Sequence, residues 1–221
     1  MGSSTKSVTA VLQFEEAVTN SSIGRPPMSF ALESGKIAFL PLEKITMAAL
    51  GIEPLVKGRV LFEGNEWSSL SAFPLEQSRR SVGFVINPEE ETSRIWMANL
   101  TIKGNIKLAP RFDPDQTEKD LAKRMETLAE TFELDSGILE ARPATITPAD
   151  SIRAQWVRAF VAPDLRLLLV ENPLQDALVH HHETFCQSLR HAMDNGAAVL
   201  WVSEEKPEFA KLGLNPIFPC P

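Results

Sequence analysis

Two stretches without alternation, Leu165 to Val170 (apolar but for Arg166) and the wholly apolar Ala197 to Val202, flank a helical segment from Ala177 to Met193 that Asn195-Gly196 closes. A strand with apolar side chains on both faces is buried on both faces, the condition of a central strand in a parallel sheet. Strand, helix and strand in that order join two parallel neighbours through a right-handed crossover. This unit commits the chain to an α/β architecture.

The remaining segments build around it. Val8 to Phe14, Met28 to Leu32, Lys36 to Leu40, Arg59 to Phe62 and Ser81 to Ile86 read as strands, with turns at Asn20-Ser21-Ser22, Glu33-Ser34-Gly35 and Glu63-Gly64-Asn65. The spacing predicts a short helix from Lys44 to Leu50, stopped by Gly51. Asp113 or Asp115 is placed to cap a helix carrying Leu121, Met125, Leu128, Ala129 and Phe132 at three- and four-residue spacing. Ala149 to Val161 forms another helix, ended by Pro163, and Pro88 to Glu91 is an exposed acidic loop. The proline-rich stretch from Pro207 to Pro221 is expected to wrap the surface.

Composition excludes several functions. At 221 residues there is length for one full core with an added lobe. A net charge of −7 without a basic run argues against a general nucleic-acid binder. Two cysteines, Cys186 and Cys220, build neither a disulfide framework nor a four-cysteine metal site. No apolar run approaches the roughly 20 residues of a membrane span, and the first residues lack an apolar signal core. Lys6 occupies the position where a myristoylation motif needs a hydroxyl. His180, His181 and His182 are consecutive on a helix and point in different directions, so they are not read as one metal site with Cys186.

Six segments, in order, resemble the nucleotide-binding domain of ABC transporters. They are Ser34 to Leu40, the strand into the phosphate loop; Leu50 to Pro54 with Lys57 to Gly64, similar to "GL-x-P-x-x-G-x-V-x-x-x-G"; and Arg79 to Val85, before the Q-loop. Then come Asn99 to Ile106, similar to "lTv-x-eN"; Arg158 to Phe160 with Pro163 and Leu167 to Pro173, the signature helix and Walker B strand; and Asn195 to Ser203, before the switch histidine. The resemblance spans residues 8 to 205. It implies a P-loop NTPase-like core of parallel sheet (about 8–87 and 161–205), an antiparallel β lobe, a helical subdomain near 88–160 and a tail at 206–221.

The departures fall on the chemistry. A Walker A loop is a glycine-rich arc of backbone N–H groups followed by Lys and Ser/Thr at a helix start. Here Phe39 to Thr46 takes its place with no glycine, with Pro41 lacking a donor and with Glu43 set against phosphate. Lys44 and Thr46 are remnants of the Lys and Thr, or Lys44 is a surface lysine, the reading preferred here. The Q-loop position falls on Asn87. The signature falls on Ile146 to Asp150, without its glycines and with Asp150 facing phosphate; the structural reading is a helix cap at Thr147 or Asp150. Glu171 stands at the magnesium-site position, Asn172 at that of the catalytic glutamate and Glu204 at that of the switch histidine. An amide takes up no proton near neutral pH, so Asn172 is no general base. No adenine-stacking aromatic stands near Asn20 to Ile23.

The resemblance therefore implies a degenerate cassette that does not hydrolyse ATP, with no catalytic residue, no metal and no expected cofactor. It would be a structural or regulatory subunit, cytoplasmic or peripheral at the inner face of a membrane through a permease. Its partners would be a second copy or an active ABC ATPase, and a membrane permease, to which Trp96 and Met97 offer a surface if they are exposed; the equal alternative is that they are buried under the helical lobe. Two alternatives stand beside it: a working ATPase subunit with atypical motifs, binding ATP and Mg, and a stand-alone regulatory protein.

Overall fold

The structure, a computed structural model, describes residues 10–41, 45–86, 95–108, 110, 116–173 and 176–219. Two sheets and a set of helices form an α/β molecule. β3 (Ile37–Pro41), β6 (Val82–Val85), β7 (Leu167–Glu171) and β8 (Ala198–Ser203) make a parallel sheet in the order β3-β8-β7-β6. β1 (Ala10–Val18), β2 (Met28–Glu33), β4 (Lys57–Phe62) and β5 (Asn65–Glu66) make an antiparallel sheet in the order β2-β1-β4-β5.

The parallel sheet is covered on both faces, and its side chains divide with a period of two. Ile37, Phe39, Leu168, Val170, Val199 and Trp201 face one core, with the helices. Ala38, Leu40, Leu167, Leu169, Leu200 and Val202 face the other, with β1, β2 and β4. That double burial is why these strands read as unbroken apolar runs. β7 and β8 are parallel neighbours joined through α7 (His182–Asp194), as the strand-helix-strand order requires. The chain beyond β8 returns to the sheet: Phe39 N–H donates to Ile217 O at 3.0 Å and Ile217 N–H to Ile37 O at 2.8 Å.

Helix α6 (Pro148–Phe160) lies across β6 in the first core. Gly83 permits this contact, because a Cβ there would sit 2.1 Å from Ala159 O. Trp156 is 0% exposed. Its ring lies 5.4 Å from that of Phe132 and 4.9 Å from that of Phe185. Around it stand α3 (Ile102–Ile106), α4 (Glu118–Thr131) and α5 (Ser136–Glu140). α4 is capped by Thr117, whose side chain accepts from Asp120 N; Asp113 and Asp115, the expected caps, lie outside the described residues. The acidic loop at Pro88 to Glu91, Cys220 and the first nine residues lie outside them as well. The helix expected from Ala177 begins instead as a 3-10 turn at Asp176–His181 and becomes α-helical at His182.

The helix expected from Lys44 is shorter. α1 (Thr46–Ala49) has four residues. Gly51 ends it with φ 65°, and the Trp67 ring covers that turn, 2.4 Å from where a Cβ would stand. Trp67 Nε1 donates to Ala49 O at 3.0 Å, so the indole takes one of the carbonyls that a longer helix would use. α2 (Ala72–Arg80) leads into β6 and has no buried residue. No helix of the described residues is long and apolar enough to cross a membrane.

Candidate functional site

In an open parallel α/β sheet, ligands bind outside the carboxyl ends of the strands. Here that edge is formed by Pro41, Glu171 and Ser203. Pro41 is level with Ser203 across the β3–β8 pairing, and Glu171 is level with Val202 across the β7–β8 pairing. α1 begins just beyond β3 and packs against β7, so Thr46 stands at the same edge.

Four of the residues singled out in the sequence, Thr46, Glu171, Asn172 and Glu204, lie at or beside this edge. Thr46 is buried, and its Oγ1 has no hydrogen-bond partner among the described residues. Glu171 is buried at the end of β7. Asn172 takes φ 43° in the turn that follows, with its N–H on Val202 O at 2.9 Å; asparagine is among the side chains that accept this left-handed conformation. Glu204 is exposed just past β8. Ser203 Oγ donates to Glu205 O at 2.7 Å and accepts from Trp201 Nε1 at 3.2 Å, which turns the chain outward at that point. Lys44 and Asn87 lie outside the described residues.

Between Pro41 and Ile45 stand three residues, Leu42, Glu43 and Lys44. The phosphate-loop pattern G-x-x-x-x-G-K-[ST] places two glycines ahead of its Lys and Ser/Thr, and Phe39 to Thr46 has none. The α1 that follows is half-sequestered under Trp67 and has four residues. The residues fit ATP with Mg poorly here: the Thr46 hydroxyl, with no hydrogen-bond partner among the described residues, suits a metal or phosphate oxygen, but the segment before it has no glycine to let a backbone arc approach phosphate closely.

Asp150 stands apart, in the first turn of α6, with its carboxylate engaged. Thr147 Oγ1 accepts from Asp150 N–H at 3.1 Å and donates to Asp150 Oδ2 at 2.7 Å. Arg153 pairs with the other carboxylate oxygen, and its Nη1 donates to Glu133 O. These contacts make the segment a helix cap. Thr147→Ala is expected to lower stability by about 1 kcal/mol, read as a shift of the urea midpoint at constant slope; an unmoved midpoint would remove the cap from the account.

α6 also holds the strand end and the re-entering chain. Gln155 Oε1 accepts from Ile86 N–H at 2.9 Å. Arg158 Nη1 donates to Ile95 O at 2.7 Å, and its guanidinium lies 4.2 Å from the centre of the Phe84 ring and 4.4 Å from that of Trp96. Burial pushes Arg158 down to about 9, so it is still charged at neutral pH. Neither Gln155 nor Arg158 stood out in the sequence as a clamp, because their partners are backbone groups about 60 to 70 positions away.

Trp96 does not offer the partner surface expected of it. It is 6% exposed, and its Nε1 donates to Ser151 Oγ at 2.9 Å under the helices. Met97 is 52% exposed and rims a small pocket of about 220 Å³ with Phe84, Ile95, Ile106 and Leu108. Cys186 faces the core at 0% exposure, and burial raises its thiol to about 11, while His180 is exposed. No group of three metal-ligating side chains is gathered among the described residues.

No protein-family model matches the chain, and no curated protein matches it by sequence. Solved structures do match. The ATP-binding cassette MJ0796, in a dimeric post-hydrolysis state bound to ADP and Pi, superposes with a TM-score of 0.74 over 94% of this chain and 94% of that one, at 15% identity. An ATP-binding subunit of an ABC transporter gives 0.69 over 91% and 81%, at 19% identity. The cbiO1 protein of Clostridium perfringens, part of the transporter complex cbiONQ, gives 0.61 over 90% and 79%, at 16% identity. The fold is that of an ABC ATPase, of the P-loop NTPase type.

Proposed function

We propose that this chain is a cassette subunit that has given up ATP hydrolysis and serves as a structural or regulatory partner in a transport complex. The observation that carries the reading is the glycine-free connection of three residues between Pro41 and Ile45, followed by the four-residue α1. Backbone N–H groups converging on phosphate are the core of nucleotide binding in this fold, and a segment without glycine, with Pro41 lacking a donor, is ill suited to supply them. The other departures add to it. Asn172 takes up no proton, Glu204 brings a negative charge where the resemblance expects an imidazole, and Asp150 is bound into a cap.

Similar cassettes are solved as dimers, and one belongs to a transporter complex. On that likeness the chain pairs with a second copy or with an active cassette. It sits on the cytoplasmic side and reaches a permease through the groove beside Met97. In a mixed pair it would hold the partner's geometry while one nucleotide site turns over.

A second reading, a working cassette with atypical motifs, draws on the Thr46 hydroxyl, which is buried with no partner among the described residues, at the edge where β7 ends in Glu171. Calorimetric titration with ATP and magnesium separates the two. The expected result is no saturable heat up to about 1 mM, a binding free energy weaker than about −4 kcal/mol. Micromolar affinity would sink the leading reading in favour of the second.

A further inference from the structure

A cleft of about 640 Å³ opens at the other end of the sheet, where the chain enters β7 and β8, between α4 and α7 and above the turn that carries Pro163 to Arg166. Its volume is that of a small-molecule site. Two guanidinium groups, Arg124 and Arg166, line it together with Asp164, and Arg166 is ion-paired to Glu63.

The cationic groups are held in position. Arg124 reaches across from α4, and its Nη2 donates to Phe160 O at 3.3 Å and Ala162 O at 3.0 Å. Arg166 is fixed through Nε, which donates to Glu63 Oε1 at 2.7 Å. A guanidinium has five N–H groups in a fork that suits carboxylate and phosphate. These contacts use Nη2 of one arginine and Nε of the other, and leave further N–H groups on both.

From α7, Asn195 Nδ2 donates to His191 O at 2.8 Å and lies 3.2 Å from His191 Nε2. An amide nitrogen can only donate, so Nε2 is the acceptor and the neutral ring carries its proton on Nδ1. The rest of the lining is partly apolar and includes Leu128 and Leu165.

We propose that this cleft is a second ligand site, separate from the nucleotide edge, that takes a small organic anion. A carboxylate or phosphate head would lie between Arg124 and Arg166, and an apolar body would lie against Leu128 and Leu165. Because α4 and α7 form opposite walls, the ligand would tie the helices around Trp156 to the crossover helix of the sheet.

The test is a titration of nitrogen-15-labelled protein with phenyl phosphate, with inorganic phosphate and phenol as separate arms. The amides of Leu128, Arg166 and His191 are expected to shift and saturate with phenyl phosphate, and inorganic phosphate to bind more weakly. Loss of a charged hydrogen-bond partner predicts binding about tenfold weaker in Arg166→Gln. Arg166→Gln is the deciding variant, since Arg124 also ties two carbonyls and its loss could disturb the turn itself. Shifts that do not saturate below about 10 mM, an unaltered affinity in Arg166→Gln, or inorganic phosphate binding as tightly as phenyl phosphate would each overturn the proposal.

Discussion

Replacing Trp156 by alanine is expected to cost about 3–5 kcal/mol, the range for removing a fully buried large aromatic. In a single domain of this size such a loss takes a large share of the total stability. The indole is 0% exposed and meets Phe132 from the end of α4 and Phe185 from α7, so its removal opens a cavity where three elements converge. Its Nε1 has no partner, however. Trp156→Phe loses less volume and also removes a buried unsatisfied donor, which offsets part of the cost. The alanine variant should therefore melt well below the phenylalanine variant in urea. Equal midpoints would mean that the neighbouring rings collapse into the gap.

Gly83→Ala is the second large effect, about 3 kcal/mol or more, at the upper end for overpacking because the obstacle is main chain. The added methyl would stand 2.1 Å from Ala159 O and 2.8 Å from Leu168 Cδ2. The leucine can turn aside; the carbonyl belongs to α6. That helix is tied on the same side through Gln155 to Ile86 and through Arg158 to Ile95. To make room, α6 must move away from β6 and strain both clamps. Denaturant unfolding measures the cost, and a midpoint within about 0.5 kcal/mol of the parent would show that the helix rides more loosely than these hydrogen bonds imply.

The α/β fold was legible because its diagnostic strands are buried on both faces. Leu167 to Val170 and Ala198 to Val202 leave no polar position, and that pattern admits few arrangements other than a covered parallel sheet. The short helix before Gly51 was legible, but α2, α3 and α5 were not, for a physical reason in each case. α2 has no fully buried residue, so it carries no apolar stripe to detect. α3 and α5 have five residues each, barely more than one turn, too few for a period of 3.6 to repeat. The cap of α4 was sought at Asp113 or Asp115, whereas Thr117 sits directly before the helix and receives Asp120 N–H.

At the candidate site, the strand ends could be located from the chain, but the neighbours of each side chain could not. The cap at Thr147 was legible in the sequence and is present, whereas the hold of Arg153 on the Asp150 carboxylate was not. The sequence leaves Trp96 open between a partner surface and burial, because the contacts that bury it, Ser151 and Arg158, come from more than fifty positions later. The cleft that Arg124, Arg166 and His191 line leaves no local signature, since three separate segments supply it.

The return of Ile217 to β3 bears on how such molecules can associate. A bare outermost strand offers its main chain as a template to any other molecule. Here the Phe39 amide and the Ile37 carbonyl are already taken by a rung from the same chain. That flank is closed to strand exchange, so whatever assembles against it must recognise side chains, and recognition through side chains can be selective.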